Sequence, residues 1–168
     1  MNKTASKDRV ASDDAASGGT KSRRYILDTA ARLFRSEGYA ATSLRDIAGA
    51  CGMKAGSLYY HFDSKDEIVG EVLRIGVENV FREVRAAVAA VPDDAGAMVI
   101  IHAAVTAHLK ALLELQDYTS ANIRIFGQVP APVREGHLKL RDEYEHFWAS
   151  LFERCAERGE VDPQRNLR

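Results

Sequence analysis

Between Lys54 and Lys65 the chain reads KAGSLYYHFDSK, with two tyrosines, a histidine, two serines and two lysines in twelve positions. Such groups suit a phosphodiester backbone. Tyrosine and serine hydroxyls donate to phosphate oxygens, lysine adds charge, and an aromatic ring packs against a sugar or a thymine methyl. Leu58 and Phe62 recur at helical spacing and should face inward, leaving Lys54, Ser57, Tyr59, Tyr60 and His61 outward, with Gly56 bare enough for close backbone approach. Adjacent helical residues cannot both face a core, so Tyr59 and Tyr60 are not both buried. Just upstream, Ser43 and Arg45 can reach the flanking backbone, and Lys65 adds a cation beside the free N–H groups of a helix start. The candidate DNA-contacting set is therefore Ser43, Arg45, Lys54, Gly56, Ser57, Tyr59, Tyr60, His61 and Lys65.

Reaction chemistry finds no comparable grouping. The five histidines, His61, His102, His108, His137 and His146, form no paired metal-ligand spacing, and His102 and His108 fall on different faces of a helix. No GxSxG, phosphate-cradling glycine loop or dense carboxylate pair occurs. Cys51 and Cys155 lie far apart without CxxC spacing and read as buried thiols. The expectation is a non-enzyme without cofactor or metal.

Helices must position the outward residues. Ile26, Ala30, Leu33 and Phe34 mark a helix over about 22–37, closed by Gly38 as a left-handed cap. Thr42 or Ser43 caps a short helix over 44–50, and after Cys51-Gly52 a second short helix covers 54–61. Two short helices across a glycine turn form a helix-turn-helix. Asp63-Ser64 then caps a long helix running toward Pro92, which links two domains. A helix over 95–116 should bury Met98, Ile101, Ala104, Val105, Leu109, Leu112 and Leu115; a shorter one follows over 121–127. Pro130 and Pro132 start a last long helix ending near Gly159. The fold class is all-α: an N-terminal three-helix bundle with a helix-turn-helix, followed by an antiparallel helical regulatory domain.

Of 168 residues, 46% are hydrophobic, enough for a sizeable core. The net charge of −1 hides an asymmetry. Residues 21–65 carry eight Lys or Arg against four acids, whereas 66–168 are net acidic. A basic module on an acidic partner points to a polyanion ligand. Residues 1–20, rich in Ser, Ala, Asp and Gly, read as a disordered arm. No apolar run reaches the length of a membrane helix and the N-terminus lacks the apolar stretch of a signal peptide, so the expected location is cytoplasmic, away from any membrane.

Residues Ile26 to Leu73, ILDTAARLFRSEGYAATSLRDIAGACGMKAGSLYYHFDSKDEIVGEVL, resemble the TetR (tetracycline repressor-like) transcriptional regulators. The likeness lies in LF..EGY, T(S)xRDIA, the GSLYxHF run and SKxE. It implies a homodimeric repressor that grips a palindromic operator and releases it when a small molecule enters the helical C-terminal domain. It also places the family's DNA contacts on the nine residues named above. The segment LLELQDYTSANIRIFGQVPAPVR resembles that of relatives tied to acyl-CoA or steroid breakdown.

Polar breaks in the apolar stripes of 66–160 mark candidate effector contacts: His108, Tyr118, Asn122, Arg124, Gln128, Tyr144 and Trp148. The family resemblance implies two closing helices beyond Arg168, so the chain reads as C-terminally truncated or as dimerising differently from its relatives, with Phe147, Trp148 and Leu151 partly exposed or forced into another contact and dimerisation weakened. The alternative is a helical protein-interaction module without effector response.

Overall fold

The computed structural model describes residues 22–160, which contain helices and turns and no strand. The arm at 1–20 and the closing VDPQRNLR lie outside the described residues. The first helix, α1, occupies 22–36. It is followed by α2 (Leu44–Ala50), α3 (Ala55–Leu58), α4 (Lys65–Ala89), α5 (Ala97–Glu114), α6 (Gln116–Ile125) and α7 (Ala131–Glu157).

Local chemistry sets most of these limits. Gly38 ends α1 at φ 92°, and Gly52 takes φ 69° in the turn between α2 and α3. Both values lie in the left-handed region that only glycine adopts cheaply. Ser43 caps α2 in a reciprocal capping box with Asp46: the Asp46 N–H donates to Ser43 Oγ at 3.2 Å and the Ser43 N–H to Asp46 Oδ2 at 2.8 Å. The Ser43 hydroxyl, which also donates to Asp46 Oδ2, and then the Ser43 N–H hold the Asp46 carboxyl below its usual range. Ser64 caps α4 by accepting from the Glu67 N–H at 3.1 Å, and Asp66 and Glu67 stand in the first turn, where the helix dipole favours them.

The second short helix is shorter than the expected 54–61. After Leu58 the chain tightens into a turn in which the His61 and Phe62 N–H groups both donate to the Leu58 carbonyl. The turn swings Phe62 into the core beside Leu58, at 2% and 0% exposure.

Two apolar clusters share α4. The first joins Ile26, Phe34, Ile47, Leu58, Phe62 and the N-terminal half of α4 to Tyr118, Ala121 and Ile125 of α6. In the second, Val80 and Val84 of α4 meet Ala104 and Ala111 of α5 and Leu151 of α7. The long helix thus runs from the helix-turn-helix into the C-terminal bundle.

Three expectations for the bundle are corrected. In α5 the buried residues are Ala97, Ala104 and Ala111, while Met98, Val105 and Leu109 are exposed. The helix is apolar nearly all round, with mean hydropathy 1.4 over 18 residues, long and apolar enough to cross a membrane. Periodicity therefore singles out no face, and close packing along α4 selects the small side chains. Next, α6 starts at Gln116 rather than 121, because the chain breaks at Leu115 alone (φ −106°, ψ 36°) without glycine or proline. Finally, Leu151 is 1% exposed, since it packs into the second cluster; Phe147 and Trp148 are half-buried.

Candidate DNA-binding surface and effector cavity

The outward residues of the helix-turn-helix are as open as their chemistry requires. Tyr60 is 90% exposed and Tyr59 56%, so neither ring belongs to the core. Arg45, Lys54 and Gly56 are exposed, and none of the ion pairs among the described residues includes Arg45 or Lys54. Ser57 and His61 are half-buried at the edge. Ser43 is exposed, but its hydroxyl is engaged with Asp46.

Lys65 has a different setting. Its Nζ donates to the carbonyls of Tyr39 and Thr42, each at 3.0 Å, and lies 4.0 Å from the Tyr39 ring centroid. Two of its three protons tie α4 to the α1–α2 loop. The Tyr39 hydroxyl donates to Asp66 on the same α4 turn; burial first, then that carboxylate, push its pKa up to about 12. Arg23 makes a parallel clamp. It donates to the His61 carbonyl, pairs with Glu67 at 3.1 Å and lies 4.0 Å over the Phe62 ring. Together they fix the tyrosine-bearing turn against α1 and α4.

In the bundle a cavity of about 480 Å³ opens between α4, α5, α6 and α7. Val77, Val80, Leu112, Ile123, Phe126 and Trp148 give it apolar walls. His108, Asn122, His137, Arg141, Tyr144 and Glu145 supply its polar groups. Size and mixture fit a small-molecule site. The His108 Nδ1 and Tyr144 hydroxyl are 2.7 Å apart, and Trp148 meets the His108 ring edge-on at 6.1 Å. Burial lowers the pKa of both His108 and His137, the latter also through Arg141. Burial likewise raises that of Tyr144. These shifts favour the uncharged forms of His108, His137 and Tyr144, beside the charged Arg141 and Glu145.

Helix α6 has a second working face. While Asn122, Ile123 and Phe126 line the cavity, its other side is bonded to the DNA-binding bundle. The Tyr118 hydroxyl donates to Asp28 of α1 at 2.6 Å, and Asp117 pairs with Arg35 of α1 at 3.1 Å. Gln128 Oε1, just past α6, accepts from the Tyr39 N–H at 3.2 Å. Burial and the Asp28 bond raise the Tyr118 pKa strongly. Helix α6 thus joins the cavity wall to α1.

A sequence model of bacterial regulatory proteins of the tetR family matches residues 26–72, and a model of the tetracyclin repressor-like C-terminal domain matches 101–167. The HTH-type transcriptional repressor KstR2 of Rhodococcus jostii (strain RHA1) is 34% identical over 145 residues, 83% of this chain and 68% of that protein. The chain belongs to the TetR family. Its match to KstR2 of Mycobacterium tuberculosis (strain ATCC 25618 / H37Rv), 44% identical over 73 residues, spans 36% of that protein's length. Among solved structures, the ketosteroid transcriptional regulator KstR2 of Mycobacterium tuberculosis superposes with a TM-score of 0.74 at 26% identity, over 86% of this chain and 72% of the other. AibR in complex with isovaleryl coenzyme A and operator DNA gives 0.69 at 26% identity, over 84% and 76%.

In this TetR-family chain the helix-turn-helix is that of a DNA-binding transcription regulator. Of the seven effector candidates, His108, Asn122, Tyr144 and Trp148 line the cavity. Tyr118 and Gln128 instead face the DNA-binding bundle, and Arg124 is exposed outside the cavity lining. Sequence reasoning passed over Gly76, Phe126, His137 and Arg141 as lining residues. His137 and Arg141 stand two turns and one turn before Glu145 on α7, a helical spacing that could have singled them out. Arg23 was visible only as part of the basic count.

Proposed function

We propose that this TetR-family chain is a ligand-responsive repressor that binds a palindromic operator as a homodimer. Residues 21–65 form the DNA-binding unit, and 66–168 the effector-binding and dimerisation unit. A small hydrophobic or acyl-CoA-like effector releases it. The observation that carries this reading is the double role of α6, which walls the cavity with one face and bonds to α1 with the other.

The proposed contact surface is Arg45, Lys54, Gly56, Ser57, Tyr59, Tyr60 and His61, with Ser43 and Lys65 at its margins. The cations neutralise phosphates, and the tyrosines reach the backbone and base edges. A two-fold dimer sets two such surfaces into successive major grooves about 34–36 Å apart, so one palindrome gains both sets of contacts. An effector held against Asn122 and Phe126 displaces α6, and the Tyr118–Asp28, Asp117–Arg35 and Gln128–Tyr39 bonds carry that shift into α1. The α1–α4 bundle then turns and the two surfaces lose their groove spacing. Couplings of this kind amount to about 1–3 kcal/mol, or roughly 5–150-fold in operator affinity. AibR, whose structure holds both isovaleryl coenzyme A and operator DNA, supports the effector class.

The test is fluorescence anisotropy with labelled duplexes from the DNA flanking the gene, titrated with salt and then with isovaleryl-CoA, longer acyl-CoAs and apolar compounds. A specific duplex should be bound with a steep salt slope and released by some of these compounds. Specific binding that no compound alters would favour regulation without an effector. Absence of any specific duplex would remove the reading.

A further inference from the structure

Two buried side-chain polar atoms among the described residues have no hydrogen-bond partner: Asn122 Oδ1 and His137 Nδ1. Both belong to side chains lining the same cavity. Buried polar groups are nearly always bonded, so a pair of exceptions at one site calls for a common cause.

The Asn122 amide has a fixed direction. Its Nδ2 donates to the Leu73 carbonyl of α4 at 3.2 Å and to the Tyr118 carbonyl of its own helix at 3.1 Å. Rotating the amide by half a turn would set Oδ1 against two carbonyl oxygens, so the oxygen is a fixed acceptor. Gly76 makes the arrangement possible, since a Cβ there would overlap Asn122 Nδ2 and stand 3.2 Å from the Tyr118 carbonyl oxygen. His137 is 7% exposed and its ring lies 5.4 Å from that of Phe126, one helical turn beyond Asn122. Asn122 thus stands one turn before Phe126 on α6, and His137 of α7 packs against the Phe126 ring. Of the other polar groups of the wall, Thr119 Oγ1 donates to the Leu112 carbonyl at 3.0 Å and His108 is bonded to Tyr144, while Arg141, 5.3 Å over the Phe126 ring, and Glu145 complete the lining.

We infer that the cavity selects an apolar effector carrying a hydrogen-bond donor, a hydroxyl or an N–H, which is read by Asn122 Oδ1 and His137 Nδ1. The inference rests on the reading of this cavity as the effector site. A hydroxyl meets both needs, donating its one proton to Asn122 Oδ1 while its oxygen accepts from the Nδ1–H of a neutral imidazole. A ketone or carboxylate in the same place offers only lone pairs and leaves Asn122 facing another acceptor. The apolar remainder lies along Val77, Val80, Leu112, Ile123 and Trp148.

The test uses matched alcohols and ketones on alicyclic skeletons, borneol and camphor first, binding to the full chain by saturation-transfer NMR and thermal shift. The alcohol of each pair should bind about ten-fold more tightly, the scale of one well-made hydrogen bond. In His137→Phe, and separately in Asn122→Ala, that preference should fall toward one while ketone binding persists. The wild-type comparison decides by itself. Ketones that bind as well as their alcohols overturn the donor inference and leave the effector reading standing. If no pair binds and acyl-CoAs also leave the melting temperature and operator affinity unchanged, the effector reading falls and the inference with it.

Discussion

Gly76→Ala tests the α4–α6 contact most sharply. In an ordinary exposed helix position this change stabilises by about 1 kcal/mol, because alanine has the higher helix propensity. Gly76 is instead buried on α4 at the point where α6 crosses, and the added methyl would overlap Asn122 Nδ2. The nearer obstacle is a side chain, so Asn122 can swing away, at the loss of its bonds to the Leu73 and Tyr118 carbonyls. Two modest hydrogen bonds, together with over-packing against the Tyr118 carbonyl oxygen at 3.2 Å, amount to about 2–4 kcal/mol. Set against the propensity gain, the net cost is about 1–3 kcal/mol, or several degrees in Tm. Asn122→Ala alone should cost about 1–2 kcal/mol by losing the same bonds. In the double variant the methyl enters the space that the amide has left and the propensity gain returns. The contact with the Tyr118 carbonyl oxygen at 3.2 Å remains and offsets the propensity gain, so the double variant should match Asn122→Ala in stability, a coupling of about 1–3 kcal/mol. Urea unfolding of the four proteins at constant m-value measures it. Additive effects, or a Gly76→Ala protein more stable than wild type, would refute the account of why glycine stands there.

Tyr118→Phe keeps the ring in the core and removes its bond to Asp28; because Asp28 is half-exposed and also paired with Arg24, the stability loss should stay near 1 kcal/mol, while effector-driven release weakens several-fold by anisotropy. Lys54→Ala should weaken operator affinity and reduce the salt slope by about two, one for each protomer of the dimer, whereas Tyr60→Ala should weaken it with no change in slope, as isothermal titrations over a salt series would show. Stability should also depend on pH near neutrality. His108 and His137 have folded pKa values depressed below 6.5, so the unfolded chain binds more protons. Their full contribution is then present above that value and is lost as pH falls below it; melts at pH 7.5 and 5.5 should show the lower Tm at 5.5, and His137→Phe should narrow the gap.

The helix-turn-helix was legible because each of its features is local. A glycine at positive φ, a Ser43 cap reciprocated by Asp46, and Leu58 and Phe62 a turn apart all act within a few residues, so spacing alone fixed which side chains point outward. Lys65 shows where that reasoning stops. Its charge and position match a phosphate contact, yet its Nζ is bound by two carbonyls from 23 and 26 residues upstream, a pairing no local pattern reveals. The effector region was harder for the same reason in larger measure. Polar breaks in an apolar stripe mark a side chain with a partner but not where that partner lies. Tyr118 and Asn122 stand one turn apart on α6, and both carry a polar group in an apolar setting. Tyr118 meets Asp28 across the first cluster, whereas Asn122 reaches α4 beside the cavity. The difference arises because α6 is clasped on both sides, an arrangement set by the long-range crossing of α4, α6 and α1. That clasp joins the cavity to the DNA-binding surface, so the residues hardest to assign from sequence are those through which an effector would act.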